Sequence, residues 1–368
     1  MRKLFLFLLV ALVALVTACS NTASTNEQTD EQADQQATNE DENKEKEEKT
    51  EKKEETPQPF KAMEPSEDAK PLDETMTEEE LAKMPVVEAH GEDRTRKTPV
   101  GETLMEGTTD ETDGILKDYR LVAYYGQPNS TQMGILGEME PEALMTKLKE
   151  QTQAYSDADP NRPAIPTIEL ITTIAQRDPG PNGKYYHMTS EEDIDEYAEL
   201  AKKHNAILML DVQLGRDTAL HQVKLLEKWL KFPYVHVAID TEFHVEEGQT
   251  PGIDLGSVDG SEVQEVVDYV SKFVEDNDLP DKIVLVHQFT DHAVTNKQAI
   301  KPTDNVEVAL NFDGYGDYGT KMSLYRKFVR NEPVQYGGFK IFYNKDKPVL
   351  TPSEVLQLDP NPAIINYQ

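Results

Sequence analysis

The sequence predicts a (β/α)8 barrel of the TIM type, preceded by a disordered acidic tether. From Arg120 onward, short β-branched or apolar runs alternate with segments of helical period, the pattern of a parallel sheet with crossover helices. Eight such runs fall within about 250 residues, the usual size of that barrel. Links from helix to next strand are short, whereas links from strand to next helix are long. The chain has therefore elaborated the face on which such barrels build their sites. An open, doubly wound sheet is the alternative.

The expected strands are Leu121–Tyr125, Thr167–Thr172, Ile207–Val212, Val235–Asp240, Ile283–Gln288, Val306–Phe312, Phe339–Tyr343 and Ala363–Tyr367. Pro141 opens the first helix, with Leu144 and Leu148 on one face. Thr189 and Glu192 have capping-box spacing ahead of a helix to Lys203, and Ser261 with Gln264 repeats it ahead of a helix to Asp276. A helix over Thr218–Leu230 carries the stripe Leu225, Leu226, Trp229 and Leu230, which reads as core. Further helices are expected near Asn296–Ile300 and over Thr320–Arg330. In Thr351-Pro352-Ser353-Glu354 the proline takes the first helical position, where no N–H is needed. The long links are Gly126–Glu140, Ile174–Met188, Phe243–Gly260 and Phe289–Thr295.

Upstream of the barrel domain, 119–368, residues 60–118 are polar and turn-rich with a short helix expected at Glu78–Lys83. They read as a partly ordered arm lying against it. Residues 20–59 are almost wholly Glu, Lys, Gln, Asp, Asn and Thr, too polar to bury and self-repelling, hence a tether. The formal net charge of -32 and the lack of Lys/Arg clusters exclude nucleic acid as a partner. At the start, Arg2 and Lys3 precede an apolar run from Leu4 to Val16, too short for a comfortable membrane span, which ends in Val16-Thr17-Ala18-Cys19. This resembles a bacterial lipoprotein signal peptide, 1–19, with its lipobox. The resemblance implies lipidation of Cys19 and residence on the extracytoplasmic face of a bacterial membrane. An ordinary secretory signal with an incidental cysteine is the alternative. Cys19 is the only cysteine, so no disulfide forms within the mature chain.

The chemistry is expected at strand ends. In Val235-His236-Val237-Ala238-Ile239-Asp240-Thr241-Glu242 the two-residue period turns Ala238, Asp240 and Glu242 into the barrel. Same-face residues one pleat apart have Cα atoms roughly 6.5–7 Å apart. Two carboxyls so crowded raise one another's proton affinity, letting one act as an acid while the other stays ionised. Equivalent positions supply Glu169 in the second strand, Asp211 and Gln213 in the third, His287 and Gln288 in the fifth, and Asn311 with Asp313 in the sixth. Lys340, in the seventh, is a costly inward charge unless it pairs with one of these acids. Each residue alone has a structural explanation: an ion pair for Glu169 and Lys340, a satisfied core histidine, a turn-forming Asp313. As a set they point to a site, because barrel cores are normally apolar. Tyr124-Tyr125, Tyr185-Tyr186-His187, Tyr315 and Tyr318 suit a polar, flat-faced ligand or packing beneath long loops. Gly314, Gly316 and Gly319 have G-x-G-x-x-G spacing, but Asp317 would put an acid in the phosphate cradle, and the segment reads as a loop. No P-loop or G-x-S-x-G elbow is present, and no cofactor or metal is expected.

Ala238-Ile239-Asp240-Thr241-Glu242, with the other strand-end acids, resembles the catalytic strands of barrel-fold glycoside hydrolases, including family 25 lysozymes, which present an Asp-x-Glu pair. The complete lysozyme pattern is absent. Most of Leu121–Gln368 also resembles a group of bacterial lipoproteins without an assigned activity. That likeness lies in Tyr124-Tyr125-Gly126, Glu169-Leu170-Ile171, Leu210-Asp211-Val212-Gln213, Gly256-Ser257-Val258-Asp259, Val286-His287-Gln288-Phe289 and Gly338-Phe339-Lys340-Ile341-Phe342-Tyr343. The first resemblance implies action on a cell-envelope or extracellular polysaccharide such as peptidoglycan. Glu242 would be the general acid, with Asp240 or Asp211 as its carboxylate partner. Glu169, Gln213, His287, Gln288, Asn311, Asp313, Lys340, Tyr125 and Tyr186 would bind substrate. Carboxyls about 5–5.5 Å apart imply retention and about 6.5–9.5 Å inversion. Two alternatives stay open: a noncatalytic glycan-binding lipoprotein, and a metal-dependent hydrolase using Asp211, Asp240, Glu242, Asp313 and His287. The second is weakened by the absence of HExxH or a close histidine pair. A one-residue slip of the fourth strand would remove Asp240 and Glu242 from the interior.

Overall fold

The computed structural model describes residues 58–85, 94–332 and 334–368. The leader with Cys19 and residues 20–57 of the tether lie outside them, as do Val86 and Val87. The chain folds into a closed ring of eight parallel strands: β1 Arg120–Gly126, β2 Ala164–Ala175, β3 Ile207–Gln213, β4 Val235–Asp240, β5 Lys282–Gln288, β6 Val306–Phe312, β7 Tyr336–Ile341 and β8 Ile364–Tyr367. Pairing of β1 with both β2 and β8 closes the barrel. The Val- and Ile-rich runs form strands because both faces are covered, one by the interior and one by the helices. Nearly every residue of the eight strands is buried accordingly.

Register then dictates which polar groups meet, because residues paired across parallel strands point to the same side. Asp240 pairs with Gln213 and with His287, His287 with Asn311, Tyr125 with Glu169, and Lys340 with Asn366. These residues ring the interior toward the carboxyl ends of the strands.

Two strands differ from expectation for identifiable reasons. β2 is longer at both ends, and its register against β3 shifts between Ile171 and Thr173. Hydroxyls fill in for the disturbed ladder: Thr172 Oγ1 donates to the Asp211 carbonyl (2.7 Å) and Thr173 Oγ1 accepts from Gln213 N–H (3.0 Å). β7 starts at Tyr336 and ends at Ile341, where the sequence suggested Phe339–Tyr343. Gly337 and Gly338 belong to the strand, and their missing side chains make room for neighbours. A Cβ on Gly338 would lie 2.2 Å from Asn311 Oδ1, and one on Gly337 would lie 2.2 Å from the Tyr325 hydroxyl. Gly338→Ala is therefore expected to destabilise the barrel by about 1–3 kcal/mol, through overpacking in a crowded interior. Thermal unfolding checks this, and an unchanged midpoint would contradict the close approach.

Helices Pro141–Ala158, Glu191–His204 and Gly260–Asn277 cover the outside. Pro352 takes the expected first helical position, and Thr351 with Glu354 forms a capping box around it. The other two caps sit elsewhere. Ser190, not Thr189, accepts from Asp193 N–H, while Thr189 donates to the Ile171 carbonyl. Asp259, not Ser261, caps the 260–277 helix. The segment 218–230 breaks into Ala219–Lys224 and Glu227–Leu230; Leu226, Trp229 and Leu230 are core as the stripe implied, whereas Leu225, at the break, is exposed. The helix Tyr318–Tyr325 ends in a π turn, Arg326–Arg330, and only a 3-10 turn, Lys297–Ala299, lies near Asn296.

The described parts of 58–118 cross the end of the barrel where the strands begin. Met63 N–H donates to the Ala164 carbonyl, Leu116 N–H to Glu307 Oε1, and Leu104 bridges to Tyr336. Phe60, Leu72, Met84, Met105 and Leu116 join the core. With that end covered, the opposite mouth is open to ligands. Among the described residues no helix is long and apolar enough to cross a membrane.

Candidate functional site

A cleft of about 280 Å³ opens at the carboxyl ends of the strands. Its polar lining includes Tyr125, Gln213, Asp240, Glu242, Asp313, Lys340 and Lys345, and Phe243, Phe289, Tyr315 and Phe342 supply aromatic walls. The alternation in β4 holds as far as Asp240, where the strand stops. Glu242 lies in the 3-10 turn Thr241–Phe243 and still lines the same cleft. The turn is anchored by Thr241 Oγ1, which donates to the His287 carbonyl at 2.6 Å.

Beneath the cleft is a buried network of acids and cations. His287 Nε2 is 2.6 Å from Glu169 Oε1, and its Nδ1 is 2.8 Å from Asp313 Oδ2. Lys340 Nζ donates to the same Asp313 oxygen at 3.1 Å and stands 3.7 Å from the centroid of the Tyr125 ring. The Tyr125 hydroxyl is 3.3 Å from Asp211 Oδ2 and 3.3 Å from Asp240 Oδ2, and Gln213 Nε2 approaches Asp240 Oδ2 at 3.4 Å. Asn366 donates to Glu169 Oε2 and Asn311 to Asp313 Oδ1.

Charge sorts these groups. Among the described residues His287 and Lys340 are the cations buried with Glu169, Asp211, Asp240, Glu242 and Asp313, so ionising every acid would leave a large uncompensated negative charge in a dry interior. Burial opposes the charge on His287, but Asp313 and Glu169 on its two nitrogens outweigh it and hold it as an imidazolium well above the usual histidine range. Burial likewise opposes ionisation of Asp313, but His287 and Lys340 prevail and keep it charged far below the usual carboxylate range. Lys340 is pushed up, because Asp313, Asp240 and Glu169 outweigh its burial. Burial first, then the Asp240 charge, raises Asp211 well above the ordinary range. Burial also raises Asp240, opposed by His287 and Lys340. Burial, with Asp240 and then Asp313, pushes Glu242 up to about 8.

Glu169, Asp211 and His287 each offer a ligand atom within 4.8 Å of the others. Both ring nitrogens of His287 also stand within hydrogen-bond distance of carboxylates, Glu169 on Nε2 and Asp313 on Nδ1.

Of the residues singled out in the sequence, the structure brings Tyr125, Gln213, Asp240, Glu242, Asp313 and Lys340 to the cleft, with Glu169, Asp211, His287 and Asn311 buried just below. Gln288 is not among them. The alternation that turns His287 inward turns Gln288 outward, where its Nε2 donates to the Phe328 carbonyl at 3.3 Å. Tyr186 sits on the short antiparallel strand Tyr186–Met188, buried near Asp217 and outside the cleft. Phe342, Gln368 and Asn366 were missed. Carrying the two-residue period from Lys340 to Phe342, and along β8 through Asn366 to Gln368, would have found all three. No protein-family model matches the chain, and no curated protein matches it either.

Proposed function

We propose that this is a glycoside hydrolase that cleaves a polysaccharide outside the cytoplasm, with Glu242 as general acid and Asp240 as its ionised partner. One observation carries the reading. In a single cleft, burial pushes one carboxyl up to about 8, while the rise that burial imposes on its neighbour is opposed by two buried cations and two hydrogen-bond donors. That division of roles is what glycosidic cleavage requires. Glu242 gives its proton to the glycosidic oxygen as the bond to the anomeric carbon breaks. The Asp240 carboxylate stabilises the positive charge developing on that carbon. Water then supplies the hydroxyl that completes the new end and the proton that restores Glu242. The aromatic walls suit sugar faces. Asp211, deeper and neutral, serves as a structural neighbour of Tyr125 rather than the second catalytic acid.

The test is release of reducing ends from peptidoglycan and a panel of soluble polysaccharides by the full chain. Release from none, with thermal stabilisation by one glycan, would replace catalysis by binding.

The location is proposed from the leader: lipidation at Cys19 would anchor the chain to a bacterial membrane, with the acidic segment as spacer. Cells fed labelled palmitate should label the chain but not Cys19→Ser. Equal labelling of the two would remove the anchor from the proposal.

A further inference from the structure

Resting on the glycosidase reading, we propose that the sugar bound beside Glu242 is acidic, its anionic group read by Lys345 on the lip of the cleft. The polarity of the cleft is uneven. Asp240, Glu242 and Asp313 lie on its floor, and Lys340, the cation among them, is already paired with Asp313. Lys345 lines the same cleft but higher, with its Nζ 4.7 Å from the Tyr315 ring centroid and 5.0 Å from that of Phe342. Among the described residues its Nζ stands against these rings rather than against a carboxylate. In a chain with nearly twice as many acids as bases, a cation left facing a cleft wall has a charge to offer a ligand.

The position of Lys345 is built, not incidental. The adjoining Asp346 is buried at 3 % exposure, accepts from Gly316 N–H and Phe342 N–H at 2.9 Å each, and pairs with Lys321. Lys347 N–H also donates to the Gly316 carbonyl at 3.2 Å. These contacts lock the turn bearing Lys345 onto the loop bearing Tyr315, which is 48 % exposed and braced by Phe289 and Phe342. An exposed ring next to a lysine is suited to a sugar that stacks on one and pairs with the other. An anionic group on the floor would be repelled, whereas at the lip it gains a charge-assisted hydrogen bond, which fixes the direction in which the polymer lies. A sugar carboxylate and a sugar-linked phosphate present the same chemistry.

The experiment compares the full chain with Lys345→Gln and Lys345→Arg on three probes: a uronate-bearing polysaccharide, the same polymer with its carboxyls reduced to alcohols, and a sugar-phosphate polymer. The expected result is faster cleavage of an acidic probe than of the reduced one. Lys345→Gln should erase about tenfold of that preference, mainly through KM, and Lys345→Arg should keep it. Preference for the uronate or for the phosphate identifies the anion. Equal loss on acidic and reduced polymers, or none on either, overturns the inference while leaving the glycosidase reading intact. If nothing is cleaved, the glycosidase reading has failed. Thermal shifts then decide the inference: stabilisation by an acidic oligosaccharide that Lys345→Gln abolishes supports it, and its absence overturns it.

Discussion

Glu242→Gln should lower kcat by about 10²–10⁴-fold while leaving the barrel folded, because proton donation to the leaving oxygen contributes on that scale. Glutamine keeps the shape and hydrogen-bonding capacity of the acid and loses only its proton. The pH profile of the wild type provides an independent check. The protonated form of Glu242 is needed, so activity falls as pH rises through about 8. The ionised form of Asp240 is needed, so the acid limb lies above the usual aspartate range, where burial places that group. Stability moves in a related way. The folded pKa of Glu242 lies above its unfolded value, so its contribution is full below about 4.5 and is lost as pH rises through about 8. Glu242→Gln has no such loss, and its melting temperature should gain on the wild type across that interval. Retained hydrolysis in the variant would remove Glu242 from the mechanism.

The barrel was legible because its strands are buried on both faces and therefore stand out as apolar runs between helical segments. Part of the site was legible for the same reason: in a run such as Val235-His236-Val237-Ala238-Ile239-Asp240, an acid on the inward phase has no apolar explanation. Lys340 was recognised as a charge in need of a partner, and the partner is Asp313 rather than Glu169. The rest depended on information that local patterns do not hold. That the seventh strand begins before Phe339, at residues including Gly337 and Gly338, follows from Asn311 and Tyr325 occupying their side-chain space. The choice of Ser190 over Thr189 as helix cap turns on Thr189 finding the Ile171 carbonyl, a contact across the sheet. Gln288 was grouped with His287 by adjacency in sequence, although adjacency within a strand guarantees opposite faces. Tyr186 was placed by composition alone, which does not reveal that its segment folds back as an antiparallel strand.

Asp313→Asn tests the network from below and should have the largest effect on stability, a loss of about 3–5 kcal/mol, because it leaves two buried cations without their shared anion. The sign with pH follows from the depressed pKa of Asp313. Its contribution is present above the unfolded value of about 3.8 and is lost as pH falls through the still lower folded value. The gap between variant and wild type in urea titrations should therefore be wide at neutral pH and narrow in strong acid. Adding Lys340→Met to Asp313→Asn removes one of the stranded cations and should recover part of the loss. A double variant no more stable than Asp313→Asn would mean that Lys340 finds another anion once Asp313 is neutral. The same substitution separates support from chemistry. The Asp313 charge is among the groups raising Asp240 and Glu242, so in whatever Asp313→Asn enzyme remains folded, both limbs of the rate profile should move to lower pH. A scaffold residue would lower the amount of active enzyme and leave the profile where it was. A shift of both limbs would show that the buried imidazolium, ammonium and carboxylate set the proton affinities of the two acids above them.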